Sequence, residues 1–424
     1  MRTIVTSSRA ALLLPEIASA EPSRIFKPKD IKRSYGQKSP FVVYWNVPSS
    51  DCPHKFDIDF HLDKYGITAN TGQNFTGDNI VLFYDNELGY YPFYSEKTSE
   101  PVNGGLPQMV NVSIHMEKAT EDILKIIPDP NFNGVAIIDW ESWRPQWEQN
   151  FDTRLIYRKK SIELVYNKHP EWTNETVKLV ALVEFEQAAE NMMESTLRLA
   201  KDLRPNARWG FYHYPYCYNK KKLGSCTQTA ILTNNNITWL FDSTTALYPS
   251  IYMHGSQVKK AEFVQGVISE ALRIRNISRN HFIDIYPYAR YQYSYSELFL
   301  TKNDLNVTVL QAAEMGSSGI VFWGSKNDTH TAESCLQVQS YLSSTLGPFV
   351  KEIIDATTIC SADICSGNGR CVGKVLECVD LLLRRKESVN WSGTSEQWKH
   401  TVTPCSCQCY KGWKGLACDQ YAEY

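Results

Sequence analysis

The 424-residue sequence lacks the features that would place it in a membrane or on nucleic acid. After the first twenty residues, no apolar run is long enough to span a bilayer, so we expect a soluble product without a membrane anchor. The formal net charge is only −2, which gives no overall attraction to nucleic acid, and no nucleic-acid partner is expected. Any polyanion that binds must therefore meet a local basic patch.

The sequence also lacks the motifs of several common enzyme chemistries. It contains no Gly-x-Ser-x-Gly nucleophile elbow, no His-Glu-x-x-His zinc helix and no phosphate-binding glycine loop. The nine histidines are scattered and form no ligand constellation, so we expect neither a metal nor another cofactor. Carboxylate chemistry is what remains.

Cysteine, by contrast, is abundant and clustered. Eight of the 12 cysteines lie between Cys360 and Cys418. An even number with such clustering is typical of disulfides formed in an oxidising compartment. A zinc site on Cys405, Cys407 and Cys409 is the alternative, although alternating cysteines lack the usual spacing of zinc ligands.

The N-terminus and the glycosylation sequons also indicate export. Residues 1–20 predict a weak signal peptide, because charged residues and a proline interrupt its apolar part. Residues 21–39 are expected to form a polar N-terminal arm. We therefore predict a secreted glycoprotein, with the lysosome as the alternative destination. The Asn-x-Ser/Thr sequons are Asn74, Asn111, Asn174, Asn236, Asn276, Asn306, Asn327 and Asn390.

Short apolar strands alternate with helical patterns along most of the chain. The clearest helical pattern runs from Val183 to Lys201, with apolar residues at three- and four-residue spacing. Alternation over roughly 300 residues predicts parallel β/α units that close into a barrel. The predicted strands are 41–45, 80–84, 135–139, 208–212, 250–252, 282–286 and 319–323, with 238–241 as a weak eighth candidate.

Two acids follow the strand at 135–139 and are separated by one residue. Because side chains alternate along extended chain, Asp139 and Glu141 are predicted to project the same way. Two neighbouring carboxylates repel each other when both are ionised, so one should keep its proton to unusually high pH, as a general acid must. The alternative is structural: the acids cap the next helix or pair with Lys and Arg.

Polar aromatic residues or acids end several of the predicted strands. Barrel active sites gather at the C-terminal ends of strands, so these side chains should line one pocket. The alternative for any one of them is packing at the rim of the barrel. The residues are Tyr84, Asp139, Tyr212, Tyr252 and Trp323.

Seven segments in the same order resemble animal-type hyaluronidases, glycoside hydrolase family 56. The resemblance implies a distorted TIM-like (β/α) barrel of about seven units over residues 40–355. It also implies an endo-acting, retaining enzyme that cuts β-1,4 N-acetylhexosaminidic bonds of hyaluronan and chondroitin. The segments are Val43–Pro48, Gly104–Gln108, Asp139–Pro145, Trp209–Tyr212, Tyr214–Asn219, Leu247–Tyr252 and Phe322–Gly324.

The resemblance also implies roles for individual residues. Glu141 would be the general acid and then the base, while the acetamido oxygen of the substrate is the nucleophile. Asp139 would orient that acetamido group and help to keep Glu141 protonated. Tyr212 and Tyr252 would hydrogen-bond the acetamido group and the developing charge. The substrate-binding residues would be Trp323 as the floor, Tyr84 as a subsite wall and Arg144, which orients the acids.

Residues 356–424 resemble an EGF-like module whose binding partner the sequence does not identify. This resemblance implies the disulfides Cys360–Cys371, Cys365–Cys407 and Cys409–Cys418, which leaves Cys378 and Cys405 to pair as Cys378–Cys405. The hyaluronidase resemblance implies Cys52–Cys335 and Cys217–Cys226 in the barrel. Two other functions stay open at this stage. One is a chondroitin-preferring hydrolase with the same residues, and the other is a non-catalytic glycosaminoglycan-binding protein.

Overall fold

The computed structural model describes residues 39–217, 219, 224–387 and 404–422. The predicted signal peptide, nearly all of the polar arm and the sequon at Asn390 lie outside these residues. Parallel strands form the framework of the fold. The strands are Val42–Asn46 (β1), Ile67–Thr68 (β2), Ile80–Phe83 (β3), Phe93–Tyr94 (β4), Pro101–Val102 (β5), Val135–Ile138 (β6), Arg208–Phe211 (β7), Ala246–Leu247 (β8), Asp284–Ile285 (β9), Tyr288–Arg290 (β10), Gly319–Trp323 (β11), Gly369–Gly373 (β12), Cys405–Cys409 (β13), Trp413–Lys414 (β14) and Gln420–Tyr421 (β15).

Helices follow most of the framework strands. They are Asp51–Phe56 (α1), Val112–Ile126 (α2), Leu155–Lys168 (α3), Asn174–Leu203 (α4), Gln228–Asn235 (α5), Thr238–Ser243 (α6), Lys260–Ile277 (α7), Lys302–Leu305 (α8), Gln311–Glu314 (α9), Ala332–Tyr341 (α10), Gly347–Ile364 (α11) and Val375–Glu387 (α12). None of the helices in the described ranges is long and apolar enough to cross a bilayer.

Parallel pairing links the strands into a distorted barrel. One sheet has the order β3-β6-β7, a second pairs β8 with β9, and a third has the order β10-β11-β1-β2. Isolated parallel bridges between Tyr212 and Tyr248 and between Ser250 and Tyr288 join the three sheets. Counting β9 and β10 as one interrupted strand, the order is β3, β6, β7, β8, β9/β10, β11, β1. This confirms the predicted α/β barrel class with about seven units.

Alternation along these strands separates an inner from an outer apolar face. The outer residues of β3 and β6, such as Val81 and Ile138, pack with helices α2 and α4. The inner face forms its own cluster, which is rich in tyrosine. Its buried members are Tyr44, Ile80, Leu82, Val135, Ile137, Ala246, Tyr248, Tyr286, Tyr288 and Val321.

The side chain of Asn70 joins β2 to β3 in place of a strand ladder. Its Nδ2 donates to the carbonyls of Asn74 (2.9 Å) and Ile80 (3.0 Å). Its Oδ1 accepts from the backbone N–H groups of Asn79 (2.9 Å) and Ile80 (2.8 Å). Because Asn70 is only 3% exposed, the bonds to the N–H and carbonyl of Ile80 satisfy buried backbone groups at the start of β3, and all four bonds satisfy the buried amide itself.

Replacing Asn70 by Ala should therefore weaken the barrel at this junction. We expect a loss of about 3 kcal/mol in the free energy of unfolding, measured by urea titration, because buried backbone groups lose their partners. Asn79→Ala is the matched control: its side chain donates to the carbonyl of Ala69 (3.0 Å), and we expect it to cost about 1 kcal/mol. Equal effects of the two substitutions would contradict this role of Asn70.

Three secondary-structure predictions need correction. The strand predicted at 250–252 is reduced to an isolated bridge at Ser250, because β8 ends at Leu247. The weak strand candidate at 238–241 is wrong, since this segment forms helix α6, which buries Leu240 and Phe241. A short apolar run fits a buried helix as well as a strand. The helix predicted from Val183 to Lys201 exists but is longer: α4 has 30 residues and begins after Thr173, whose side chain caps the N–H of Thr176.

All 12 cysteines form disulfides in the structure, and the pairs are the six that the family resemblance implies. The zinc alternative is therefore wrong, because Cys405, Cys407 and Cys409 each have a sulfur partner. The C-terminal cysteines hold the antiparallel pair β12–β13 against helix α11. That helix runs without interruption through position 355, where we place the boundary of the barrel, and the boundary stays a prediction.

The two disulfides of the barrel should differ in their contribution to stability. Cys52–Cys335 joins residues 283 positions apart, whereas Cys217–Cys226 joins residues nine apart. Restricting the unfolded chain is worth about 5 kcal/mol for the long loop and about 3 kcal/mol for the short one. Urea unfolding of the two Cys→Ala double variants should show the larger loss for Cys52/Cys335. The reverse order would contradict the loop-entropy argument.

Candidate active site

The five predicted strand-end residues lie at the same end of the barrel. Tyr84 and Asp139 directly follow β3 and β6, Tyr212 follows β7, and Trp323 is the last residue of β11. Tyr84, Tyr212, Tyr252 and Trp323 all pack on the end of the inner cluster. Only Tyr252 does not directly end or follow a strand as predicted. The observed strand β8 ends at Leu247, so Tyr252 lies on the segment after it.

Aromatic rings form the walls around this end of the barrel. Tyr252 stacks on Trp323 with ring centres 6.2 Å apart, and Phe75 stacks on Tyr84 at 6.1 Å. The Tyr212 ring meets the edge of Tyr288, and its hydroxyl donates to Ser250 Oγ at 3.3 Å. Flat apolar faces with polar tips are the surfaces that stack on sugar rings.

Glu141 is surrounded by positive and proton-donating groups. Nδ1 of His213 lies 3.3 Å from Oε1 of Glu141, and a guanidinium nitrogen of Arg144 lies 3.5 Å from the same atom. Arg144 and Arg154 also donate to the carbonyl oxygen of Glu141. Burial would raise the pKa of Glu141, but His213, Arg144 and Arg154 outweigh it and lower the pKa to about 2.

Asp139 has the opposite environment. Its Oδ1 is buried and has no hydrogen-bond partner among the residues that the structure describes. Burial raises the pKa of Asp139 to about 8, and the negative charges of Glu141 and Asp85 act in the same direction, against Arg144. The pKa values of the two neighbouring acids therefore differ widely, as in acid–base pairs that share one proton.

This distribution bears on one expectation. The sequence resemblance implies that Asp139 helps to keep Glu141 protonated, which stays a prediction. The surroundings raise the pKa of Asp139 and lower that of Glu141, so of the two acids Asp139 holds a proton more readily. The reason is the set of groups around Glu141: Arg144 and Arg154 lie on the connection after β6, and His213 follows β7. Each of the two carboxylates raises the pKa of the other by the same repulsion, so these additional groups decide which acid keeps the proton.

Contacts of both its side chain and its backbone hold Arg144 in place. Only 6% of it is exposed, its guanidinium lies 5.0 Å from the centre of the Tyr216 ring, and its backbone N–H donates to Asn150 (2.9 Å). Together with its contacts to Glu141, this fixes the loop that presents the acid. The geometry agrees with the expected orienting role, which stays a prediction.

Three residues of the site were missed from the sequence. Asp85 accepts a hydrogen bond from Ser142 Oγ (2.8 Å), and burial raises its pKa beside Asp139. Asp85 and His213 each directly follow a predicted strand-end tyrosine, so widening the strand-end pattern by one residue would have found both. Nothing in the sequence marks Arg154, which reaches Glu141 from the segment before α3.

Within the described ranges, no group of three or more His, Cys, Asp or Glu side chains could hold a metal ion. An acid pair with well-separated pKa values, placed among aromatic rings at the end of a β/α barrel, is the arrangement typical of a glycoside hydrolase.

Comparison with known proteins identifies the family. The model of the hyaluronidase family, glycoside hydrolase family 56, matches residues 31–422. Hyaluronidase-1 of Mus musculus is 36% identical over 402 residues, which cover 90% of this chain and 87% of that protein. Hyaluronidase-1 of Homo sapiens is 36% identical over 402 residues, covering 90% and 92%. The chain therefore belongs to the hyaluronidase family.

A solved relative supports the same assignment. The crystal structure of bee venom hyaluronidase in complex with a hyaluronic acid tetramer superimposes with a TM-score of 0.69 at 37% sequence identity. The match covers 74% of this chain and 99% of that chain. The family resemblance of the sequence and the predicted fold are thus confirmed.

Proposed function

We propose that this chain is an endo-β-N-acetylhexosaminidase that hydrolyses the β-1,4 bonds of hyaluronan with retention of configuration. Family membership supports the reaction class, and the hyaluronic acid tetramer bound to bee venom hyaluronidase supports the substrate. Chondroitin carries the same type of acetamido group beside the scissile bond, so we include it as a second substrate.

The buried, unpartnered Oδ1 of Asp139 is the observation that carries the mechanism. A buried polar atom without a partner calls for an explanation, and a catalytic role is one of those that the physics allows. The acetamido N–H of the substrate is a suitable partner for this atom, because accepting its hydrogen bond makes the amide oxygen more negative and orients it toward the anomeric carbon. The tethered oxygen then attacks with high effective molarity.

In the first step, a bond forms between the acetamido oxygen and the anomeric carbon while the glycosidic bond breaks. Glu141 gives its proton to the departing oxygen. In the second step, Glu141 accepts a proton from water, the water oxygen bonds to the anomeric carbon, and the acetamido oxygen leaves. Two inversions at one carbon give retention.

The proton that Glu141 delivers comes from the acid pair. Between pKa values of about 2 and about 8, Asp139 and Glu141 together hold one proton, and substrate binding must place it on Glu141. Above a pH of about 8 the pair loses its only proton, so the rate should fall there.

Tyrosine hydroxyls serve as hydrogen-bond donors throughout this range. Burial raises the pKa of Tyr84 to about 12, and it raises the pKa values of Tyr212 and Tyr252 as well. All three therefore keep their protons at any working pH. We assign Tyr212 and Tyr252 to the acetamido group and its developing charge, and Trp323 and Tyr84 to the sugar faces.

Comparing hyaluronan with its N-deacetylated derivative tests the substrate-assisted mechanism. We expect cleavage of hyaluronan and a loss of activity on the derivative on the order of 1,000-fold or more, because the internal nucleophile is gone. Equal cleavage of both polymers would contradict it. Chondroitin in the same assay decides between the two hydrolase preferences, and binding without cleavage of any polymer would favour the glycosaminoglycan-binding alternative.

Secretion and an EGF-like C-terminal module complete the proposal. Six disulfides support an oxidising compartment. The described sequon asparagines, seven of the eight, are all exposed, which suits glycosylation. The disulfide-linked β12–β13 pair supports the module at residues 356–424.

A further inference from the structure

His213 occupies an unusual position beside the acid pair. Its backbone φ is +75°, in the left-handed region that residues other than glycine adopt only uncommonly. Its N–H donates to the carbonyl of Tyr248 (2.8 Å), which ties this turn to the segment directly after β8. The turn aims Nδ1 at Oε1 of Glu141, 3.3 Å away, and the ring makes an edge-on contact with the ring of Tyr216, with centres 4.7 Å apart.

The groups that face His213 set its protonation. Burial lowers the pKa of His213, the hydrogen bond and charge of Glu141 raise it, and Arg144 and Arg154 lower it. The remaining titratable neighbours are Tyr212 and Tyr216, from its own segment. The imidazole is therefore largely neutral at neutral pH, and as a neutral ring its Nδ1–H donates to the ionised carboxylate.

We propose that His213 is a positioning residue that holds Glu141 and competes with it for the proton that Glu141 delivers. The inference rests on the proposed function of Glu141 as acid and base. Donation from Nδ1 stabilises the ionised carboxylate, and protonation of the ring at lower pH strengthens that effect. When Glu141 is protonated instead, its O–H donates to Nδ1 and the ring carries its proton on Nε2.

This arrangement limits the pH range of the enzyme on the acid side. At lower pH the ring takes up a proton and, as imidazolium, holds Glu141 in the ionised form that cannot deliver a proton, so the rate falls. The alkaline limb depends on the Asp139–Glu141 pair and not on the ring. Removing the ring should therefore extend activity to lower pH.

His213→Gly and His213→Asn test the proposal, because glycine and asparagine both accept the left-handed backbone. The pH profile of kcat/KM on hyaluronan is measured for each. For His213→Gly we expect the acid limb to move down by about one pH unit, which is about tenfold higher relative activity on that limb, with the alkaline limb unmoved. The amide of His213→Asn keeps a neutral donor in place but cannot be protonated, so this variant should move the acid limb in the same direction.

His61→Gly is the matched control. His61 also has a left-handed backbone (φ +49°), and its Nδ1 lies 3.3 Å from a carboxylate oxygen, that of Asp59. It is on the surface, however, with 66% of its side chain exposed, and outside the site described above. Its profile should superimpose on that of the unmodified protein.

The outcomes separate this inference from the proposed function. A uniform loss of rate in His213→Gly with an unmoved acid limb shows a merely structural role and overturns the inference. An upward shift of the acid limb in His213→Gly, or an acid limb in His213→Asn that stays where it is in the unmodified protein, also overturns it. If the unmodified protein cleaves no hyaluronan at any pH, the proposed function fails instead.

Discussion

Glu141→Gln should reduce kcat/KM on hyaluronan by a factor on the order of 100 to 10,000. The amide has nearly the shape of the acid and can still accept from Arg144 and His213, but it has no proton to give to the departing oxygen. The measurement is the release of reducing-end N-acetylhexosamine between pH 3.5 and 8. The variant should bind hyaluronan about as well as the unmodified protein.

Glu148→Gln is the matched control for this substitution. Glu148 lies on the same connection after β6, but it is 73% exposed on its side chain and pairs with Arg158. We expect unchanged kcat/KM for this variant. A Glu141→Gln protein that keeps more than about a tenth of the activity would show that another group donates the proton.

Asp139→Asn should stabilise the protein while it inactivates the enzyme. The pKa of Asp139 is about 8 in the folded protein and near 3.8 in the unfolded chain. Its raised pKa stabilises the fold below a pH of about 4, and that stability is lost as the pH rises toward 8. Each pKa unit corresponds to about 1.4 kcal/mol, so the uncharged Asn should gain several kcal/mol at pH 8. Activity should fall on the order of 100-fold or more.

The stability of the two acid variants should change in opposite directions. The pKa of Glu141 is lowered to about 2 from 4.5, so its ionised form stabilises the fold above a pH of about 4.5, and this is lost as the pH falls toward 2. Glu141→Gln should therefore be less stable at pH 7, although only modestly because 46% of the Glu141 side chain is exposed.

Thermal melting at pH 4 and pH 8 checks this pair of predictions. Asp139→Asn should melt above the unmodified protein at pH 8, with the difference vanishing near pH 4. If Asp139→Asn is destabilised at pH 8, or if both variants shift the same way, the proton does not reside on Asp139.

The position of the acid pair could be predicted from the sequence because it depends on local rules. The strand β6 ends at Ile138, so strand alternation does not itself place the two acids. Their separation by one residue keeps Asp139 and Glu141 close enough for their charges to interact, and parallel strands bring their C-terminal ends to one edge. Tyr84, Tyr212 and Trp323 follow from the same rule. Tyr252 reaches the site although its strand ends earlier, because its ring stacks on Trp323.

The order of the two pKa values could not be predicted in the same way. It depends on Arg154 and His213, which approach Glu141 from segments that are distant in sequence. The closure of the barrel by Asn70 is likewise a tertiary event, in which an amide side chain replaces a strand ladder. Such contacts leave no periodic signal in the sequence.

In the proposed mechanism the substrate's acetamido oxygen, assisted by Asp139 and Glu141, is the nucleophile. Proton NMR of the anomeric hydrogen of the new reducing end, during the first minutes of hyaluronan cleavage, tests this step. The β-anomer should appear first and mutarotate later to the equilibrium mixture. Initial appearance of the α-anomer would contradict it, because water would then have attacked the anomeric carbon directly.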